Sequence, residues 1–239
     1  MYFSNNFVSF LIVSGVMLVW VEVMKILAHR NYFSSWTRRK LMHILTGPIF
    51  LLFWNIFSPN QQGSYYAATV PLVLTLKFVL VGLGVLTDAD TVNSMSRTGD
   101  RRELLRGPLL YGLVFVVTTV AFWRSITSVI CLFTLCFGDG FAEIIGRSYG
   151  RNNRLFWSHE KSWAGMLGFI IISTIATTLF LALFPHIVEE SFSIDKGFIF
   201  RLISINICAA LAESLPLGEF DNIVVFLAAT AADRSIFTS

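Results

Sequence analysis

CFGDGFAEIIGRSYGRNNRLFWSHEKSWAGMLG, residues Cys136–Gly168, joins two long apolar segments through a basic, polar loop. The first apolar segment runs into Gly138 and Asp139, and Lys161 and Ser162 open the second. A carboxylate at the end of an apolar membrane segment is costly, so Asp139 is a candidate for function by default. The stretch therefore predicts a polar site of the nucleotide-binding kind, built at a membrane surface between two helices.

Two carboxylates of this stretch have the spacing of one helix face. If the helix that begins near Ile126 continues through Glu143, then Asp139 and Glu143 are four residues apart and share a face. Carboxylate oxygens are the ligands that a hard divalent cation prefers, and Mg²⁺ is the expected ion. Asp139 and Glu143 are therefore predicted metal ligands.

Glycines and basic residues around these acids suit phosphate groups. A bare backbone lets a phosphate approach closely, guanidinium and ammonium groups bind its oxygens, and the N–H groups at a helix start favour anions. The alternative is that the glycines only let membrane helices pack closely. Neither GxxxxGK[ST] nor GxGxxG is present. The predicted phosphate-binding residues here are Gly138, Gly140, Gly146, Arg147, Gly150, Lys161 and Ser162.

Composition indicates a polytopic membrane protein. The 239 residues are 55% hydrophobic with a net charge of only +3, and no nucleic-acid partner is expected. We expect one all-α domain over residues 1–239, a transmembrane bundle of roughly seven or eight helices. The apolar runs are Phe7–Leu27, Leu41–Phe57, Ala67–Leu86, Pro108–Trp123, Ile126–Phe137, Ala164–Phe184, Phe198–Leu211 and Ile223–Ala232.

Basic residues alternate between the loops, which predicts the orientation of the helices. The loops after the first, third and fifth runs are rich in Arg and Lys, and the loops between them are poor in both. Basic loops stay on the inner face of a membrane. Counting on, the Glu213–Asn222 loop lies on the same face. The acids Asp139, Glu213 and Asp221 are therefore expected at one membrane level, with the site on the inner face.

Glu213 and Asp221 flank Pro216 and Gly218 in a predicted turn. Such a turn would bring both carboxylates back beside Asp139 as further metal ligands. The alternative is a plain connecting turn with solvated acids.

Four other polar residues are candidates for which both a functional and a structural role are possible. Lys77 lies inside the third apolar run and is expected to pair with an acid or with a ligand phosphate. His43 is a candidate base, a hydrogen-bond donor to a phosphate, or a structural residue at a helix start. Arg101 and Arg102 follow a predicted Gly-Asp turn and suit either a nucleotide phosphate or the lipid surface.

Five motifs together resemble the signature of the phytol kinase and farnesol kinase family. They span nearly the whole chain in the family's order. Phe220 stands where relatives usually have an aspartate, and Met166 where they usually have a serine. The motifs are RKLMHILTG (Arg39–Gly47), SMSRTGDRRELLRGPLLY (Ser94–Tyr111), GDGFAEIIGRSYG (Gly138–Gly150), KSWAG (Lys161–Gly165) and ESLPLGEFDN (Glu213–Asn222).

The resemblance implies a membrane enzyme that transfers phosphate from CTP to a prenyl alcohol such as phytol, farnesol or geranylgeraniol. It implies Mg²⁺ on Asp139 with Asp221 and with Glu143 or Glu213. Asp139, Asp221 and His43 are the implied catalytic residues, with the choice of base left open. It also implies a plastid membrane, a site facing the stroma or cytosol, and a product that feeds tocopherol and isoprenoid salvage.

Two other functions fit parts of the pattern. A cytidylyltransferase acting on phosphatidate would use the same nucleotide, metal and membrane geometry, but its full KD…HGG…DR pattern is missing. A transporter would also carry charges within the membrane. The polar residues here cluster at one end of the predicted helices, and no inverted repeat is evident.

Overall fold

The structure, a computed structural model, describes residues 5–30 and 32–237 and is predominantly α-helical. The chain divides into two compact units, Met1–Trp123 and Arg124–Ser239. The predicted all-α class is confirmed, and each of the eight predicted apolar runs falls on a helix.

Polar caps and a glycine set the helix boundaries of the first unit. Ser34 accepts the Thr37 N–H at the start of α2, and Asn60 accepts the Gly63 N–H at the start of α3. Gly84 ends α3 in the left-handed conformation, with φ of 81°. The helices of this unit are α1 Asn6–His29, α2 Ser35–Leu52, α3 Gln61–Leu83, α4 Ala89–Met95 and α5 Gly107–Ala121.

A small residue brings two of these helices together. α3 packs against α5, where a Cβ at Gly112 would lie 2.1 Å from the Thr75 hydroxyl oxygen. Only glycine permits this approach, as in many helix pairs within membranes.

The second unit is a helical bundle that carries one small hairpin. Strands β1 and β2 are antiparallel and form the connection between α7 and α8. α8 packs against α7 and α9, and α9 packs against α10. The elements of this unit are α6 Ile126–Phe133, α7 Gly140–Tyr149, β1 Arg154–Leu155, β2 Ser158–Ser162, α8 Trp163–Leu183, α9 Lys196–Glu213 and α10 Asp221–Phe237.

Five helical segments within the described residues are long and apolar enough to cross a membrane. α2 and α9 each carry three charged residues in 18, and α10 has only 17 residues, so these three predicted spans fall short of that length or composition. The five segments are Asn6–Leu27, Gln61–Leu83, Arg101–Ala121, Ile126–Tyr149 and Trp163–Leu183.

Candidate active site

Asp139 lies at the end of a π-helical segment inside a long helix. The chain is helical from Ile126 to Tyr149, which confirms the predicted continuation through Glu143. Residues Thr134–Asp139 adopt the π form, which the apolar pattern does not predict. Such segments are rare and are frequent at functional sites.

Neighbouring helices hold the π segment in place. The hydroxyl of Thr134 donates to the Asn206 side-chain oxygen at 3.0 Å, and the Asn206 amide donates to the Thr174 hydroxyl at 2.9 Å. Asn206 is fully buried, so these bonds satisfy a polar group that would otherwise be costly. At the other end of the segment, a Cβ on Gly138 would lie 2.7 Å from the Phe169 ring.

Lys161 links three elements of the second unit. It lies on β2, and its ammonium group donates to the carboxylates of Glu213, at the end of α9, and Asp221, at the start of α10. The bond to Asp221 is 3.2 Å long. Glu213 is buried, with 4% of its surface exposed, whereas the Asp221 side chain is 25% exposed. Lys161 therefore neutralises one buried and one accessible acid.

Electrostatic effects add Asp139 to this group. Burial acts against the charge of Lys161, but the carboxylates of Glu213, Asp139 and Asp221 outweigh it and hold the Lys161 pKa above its ordinary value. Glu213 follows the apolar run of α9, and burial raises its pKa, with Lys161 opposing the rise and Asp139 adding to it. Asp139, Lys161, Glu213 and Asp221 thus form one charged cluster, called the acid–lysine cluster below.

Three of the four predicted metal ligands, Glu143, Glu213 and Asp221, form ion pairs with cations of the protein itself. Glu143 pairs with Arg147 at 2.9 Å on α7, and Lys161 lies between Glu213 and Asp221. Within residues 5–30 and 32–237, no group of three or more His, Cys, Asp and Glu side chains is placed to hold a metal ion. The oxygen donors suit Mg²⁺ chemically, but their arrangement is that of ion pairs, so the metal assignment stays a prediction.

The predicted phosphate-binding glycines lie in tight helix contacts. A Cβ on Gly150 would meet the Gly146 carbonyl and the Ser162 hydroxyl, each at 2.3 Å, and one on Gly146 would lie 3.2 Å from that hydroxyl. Gly140 is buried at the start of α7. This geometry supports the packing alternative, and contact of these glycines with a phosphate stays a prediction.

Ser162 caps α8, as the predicted helix start requires. Its hydroxyl accepts the Gly165 N–H at 3.1 Å, and the side chain is buried. The Trp163 N–H donates to the Asn153 carbonyl at 2.9 Å, so two of the first N–H groups of α8 already have partners. The cap explains Ser162 without a ligand.

The remaining predicted residues lie in the first unit. Lys77 pairs with Asp88 at 2.6 Å, which is the acid partner expected for it. His43 packs its ring 4.6 Å from that of Tyr111, whose hydroxyl donates to the His43 carbonyl. Arg101 and Arg102 lie in a 3₁₀ turn, and the Arg101 guanidinium packs over Gly84. Their functional roles stay predictions.

Two contributors were missed from the sequence. Asn206 is a polar residue inside the apolar run of α9, and that exception was the signal that could have found it. Trp157 donates its ring N–H to the Ser214 hydroxyl at 3.0 Å and so fixes the hairpin beside Glu213. Nothing in the loop sequence indicates that partner.

Comparisons with known proteins give the family. No protein-family model matches the chain, and no solved structure matches it significantly. Probable phytol kinase 2, chloroplastic, of Oryza sativa subsp. japonica is 36% identical over 231 residues, which cover 95% of this chain and 74% of the relative. Farnesol kinase, chloroplastic, of Arabidopsis thaliana is 38% identical, and the aligned region covers 91% of this chain and 70% of that relative. Phytol kinase 1, chloroplastic, of the same plant is 35% identical, and the aligned region covers 86% of this chain and 68% of that relative.

The aligned regions cover most of this chain and most of each relative, as the order of the five motifs predicts. The chain therefore belongs to the family of phytol kinases and farnesol kinases.

Proposed function

We propose that the protein transfers the terminal phosphate of CTP to the hydroxyl of a prenyl alcohol, giving the prenyl monophosphate and CDP. The acceptor class comprises phytol, farnesol and geranylgeraniol, and the product feeds isoprenoid salvage and tocopherol synthesis. The observation that carries the proposal is the acid–lysine cluster, whose Lys161 bridges two carboxylates immediately before a candidate membrane span.

The position of the cluster suits an acceptor that never leaves the bilayer. The loop between the candidate spans Ile126–Tyr149 and Trp163–Leu183 carries Lys161, so the ammonium group of the cluster lies near one end of both. A prenyl alcohol keeps its chain among the lipids and its hydroxyl near the surface. The nucleotide approaches from water, and the two reactants meet at that level.

Phosphoryl transfer needs positioning and charge neutralisation more than covalent help. The acceptor oxygen forms the new bond to the terminal phosphorus, the bond to the bridging oxygen breaks, and CDP leaves. Lys161 is the proposed phosphate clamp, with Arg147 as a second cation. Asp139 or Asp221 is proposed to accept the proton of the alcohol; the sequence-based alternative, His43, keeps its place as a prediction.

Mg²⁺ would arrive bound to the incoming nucleotide. Glu143, Glu213 and Asp221 are paired with protein cations, so their role as ligands of a resident ion stays a prediction. CTP rests on the family resemblance alone, whereas Mg²⁺ rests on that resemblance and on the carboxylates of the site.

The relatives' names also support a membrane location. Those named above are described as chloroplastic, and we propose a plastid membrane for this chain, with the cluster facing the stroma or cytosol. The same names include kinases of phytol and of farnesol, which favours a kinase over a cytidylyltransferase or a transporter.

Product analysis of purified protein in lipid vesicles tests the proposal. CTP or ATP with Mg²⁺ would be paired with phytol, farnesol, geranylgeraniol or phosphatidate. Prenyl monophosphate and CDP are expected with wild type, almost none with Asp139→Asn, and normal amounts with Asp195→Asn, an exposed acid at the start of α9. Pyrophosphate with a CDP-lipid would instead identify a cytidylyltransferase. No product from any pair would overturn the enzymatic proposal.

A further inference from the structure

The turn of the β1–β2 hairpin exposes a large aromatic side chain. Phe156 is 82% exposed, whereas its neighbours Leu155 and Ser158 are buried. The two turn residues are Phe156 and Trp157, in place of the Gly, Asn and Asp that tight hairpin turns in water favour. An apolar turn that points outward indicates an apolar environment around it.

The exposed ring belongs to a ladder of aromatic contacts that leads to a candidate span. Phe156 makes an edge contact with Trp157 at 4.3 Å, and Trp157 makes another with Trp163 at 5.6 Å. Trp163 is the first residue of the candidate span Trp163–Leu183. The hairpin turn is therefore connected, ring by ring, to the boundary of that span.

The preceding span ends in the same way. Tyr149 is the last residue of Ile126–Tyr149, and its side chain is 75% exposed. Exposed aromatic residues at the ends of consecutive spans are typical of the membrane–water interface, where an amphipathic ring has both an apolar and a wet side. This pattern indicates that the hairpin between these spans lies at that level.

Charge on the same segment fits phosphate headgroups. Arg151 and Arg154 are exposed, and one nitrogen of the Arg154 guanidinium donates to the Glu160 carbonyl at 2.7 Å. Basic residues beside a membrane segment are attracted to anionic lipids. The segment thus combines an apolar tip with cations a few residues away.

We propose that the β1–β2 hairpin is an interface anchor: Phe156 inserts among the acyl chains of the bilayer, and Arg151 and Arg154 bind the phosphates of anionic lipids. The anchor bears on the site because Lys161 lies on β2 and Trp157 contacts Ser214, next to Glu213. Docking of the hairpin then fixes the position of Lys161 over its carboxylates.

Spin labelling tests the anchor without any assay of activity. Cys208 is exposed and would be replaced by serine, while Cys131 and Cys136 are buried. A nitroxide would be attached to the cysteine introduced by Phe156→Cys. As a matched control, it would be attached to the one introduced by Asn152→Cys, on the preceding exposed loop. The vesicles would contain phosphatidylcholine with phosphatidylglycerol.

We expect the label at position 156 to be accessible to oxygen and shielded from a water-soluble nickel chelate, and the label at 152 to be accessible to nickel. Equal nickel accessibility at both positions would overturn the anchor. Shielding at 156 that develops only after addition of phytol would also overturn it, because the tip would then contact the acceptor and not the bilayer.

A kinetic comparison gives a second measurement, and this arm alone rests on the proposed function. Phe156→Ser is expected to lower kcat/KM about tenfold in vesicles and less than about twofold in detergent, while Phe156→Leu stays near wild type in both. Loss of the same size in vesicles and in detergent would mean that Phe156 acts within the fold, against the anchor. If wild type makes no product at all, the labelling result still decides on the anchor.

Discussion

The Lys161 ammonium group on β2 donates to the buried Glu213 carboxylate at the end of α9. The same nitrogen also donates to Asp221, and the charge of Asp139 acts on both partners of the buried pair. The Lys161 ammonium group thus donates to two carboxylates and interacts electrostatically with a third. A phosphate that binds Lys161 must compete with these carboxylates, so the cluster links the stability of the second unit to the proposed chemistry.

Lys161→Met should lower both stability and product formation. The change leaves the buried Glu213 carboxyl without its partner, so that it either stays charged or takes up a proton, at a cost of up to about 3–5 kcal/mol. Lys161→Met combined with Glu213→Gln should recover most of the thermal stability without recovering activity. Thermal unfolding in detergent and the product assay would measure the two effects. Lys196→Met, at an exposed position, is the control. A double variant no more stable than the single one would contradict the pairing argument.

Gly138→Ala distinguishes helix packing from phosphate binding. The new Cβ would lie 2.7 Å from the Phe169 ring, and such overpacking costs about 1–3 kcal/mol. Because the clash is with that ring, Gly138→Ala and Phe169→Leu together should be more stable than the sum of their separate effects. Unfolding measurements on the four chains of this cycle would test the coupling. An increase in the KM for CTP that persists in the double variant would favour the phosphate role instead.

Asn206→Leu should loosen the π segment. The change removes both hydrogen bonds that Asn206 makes, to Thr134 and Thr174, and side-chain hydrogen bonds between membrane helices are worth about 0.6–2 kcal/mol each. We expect a lower unfolding temperature and a reduced kcat, because Asp139 ends the affected segment. Ser204→Ala, which lies on α9 and bonds only its own helix at Phe200, is the control. Full activity together with the lower unfolding temperature would show that the network is structural only.

Asp88→Asn should lower stability at neutral pH and have less effect in acid. Although partial burial favours the protonated form, hydrogen bonds from Lys77 and Thr91 hold the Asp88 pKa below its ordinary value of 3.8. As pH falls below 3.8, the unfolded chain takes up a proton before the folded one does, so the contribution of the ion pair is lost. The gap between wild type and Asp88→Asn should therefore be about 1 kcal/mol near neutrality and shrink in acid.

Unfolding curves at several pH values in detergent would measure that gap. Lys77→Met is the reciprocal variant and should remove the Lys77 part of this pH-dependent contribution, leaving the part that the Thr91 hydrogen bonds supply. Asp88 also caps α4 by accepting the Thr91 N–H, and asparagine can do the same, so loss of the cap does not explain the difference. A gap of constant size down to acid pH would argue against the ion pair.

Local patterns in the sequence predicted the helices and the residues that carry charge. The spacing of Asp139 and Glu143, the start of α8 after Ser162 and the need of Lys77 for a partner all follow from neighbours within a few residues. The identity of that partner does not. Asp88 reaches Lys77 because Gly84 turns the chain at the end of α3, and this depends on backbone conformation.

The π segment and the hairpin depend on contacts between distant residues. Thr134 looks like any threonine in an apolar run until Asn206, from α9, is placed beside it. Trp157 looks like an exposed loop residue until Ser214 accepts its ring N–H. Lys161 was predicted as a phosphate clamp, but only the bundle identifies Glu213 and Asp221 as its partners.

Because of the π segment, the orientation of Asp139 depends on the exact number of residues that precede it in this helix. A π turn holds one more residue than an α turn, so everything after it is rotated by about 100° relative to an uninterrupted α-helix. Deleting a single residue between Thr134 and Phe137 would therefore let the segment return to the α form with Asp139 still facing Lys161, whereas a deletion between Ile126 and Phe133 would rotate Asp139 away from it. A one-residue deletion should therefore be tolerated within the π segment and not in the α-helical residues before it, although both parts are equally apolar.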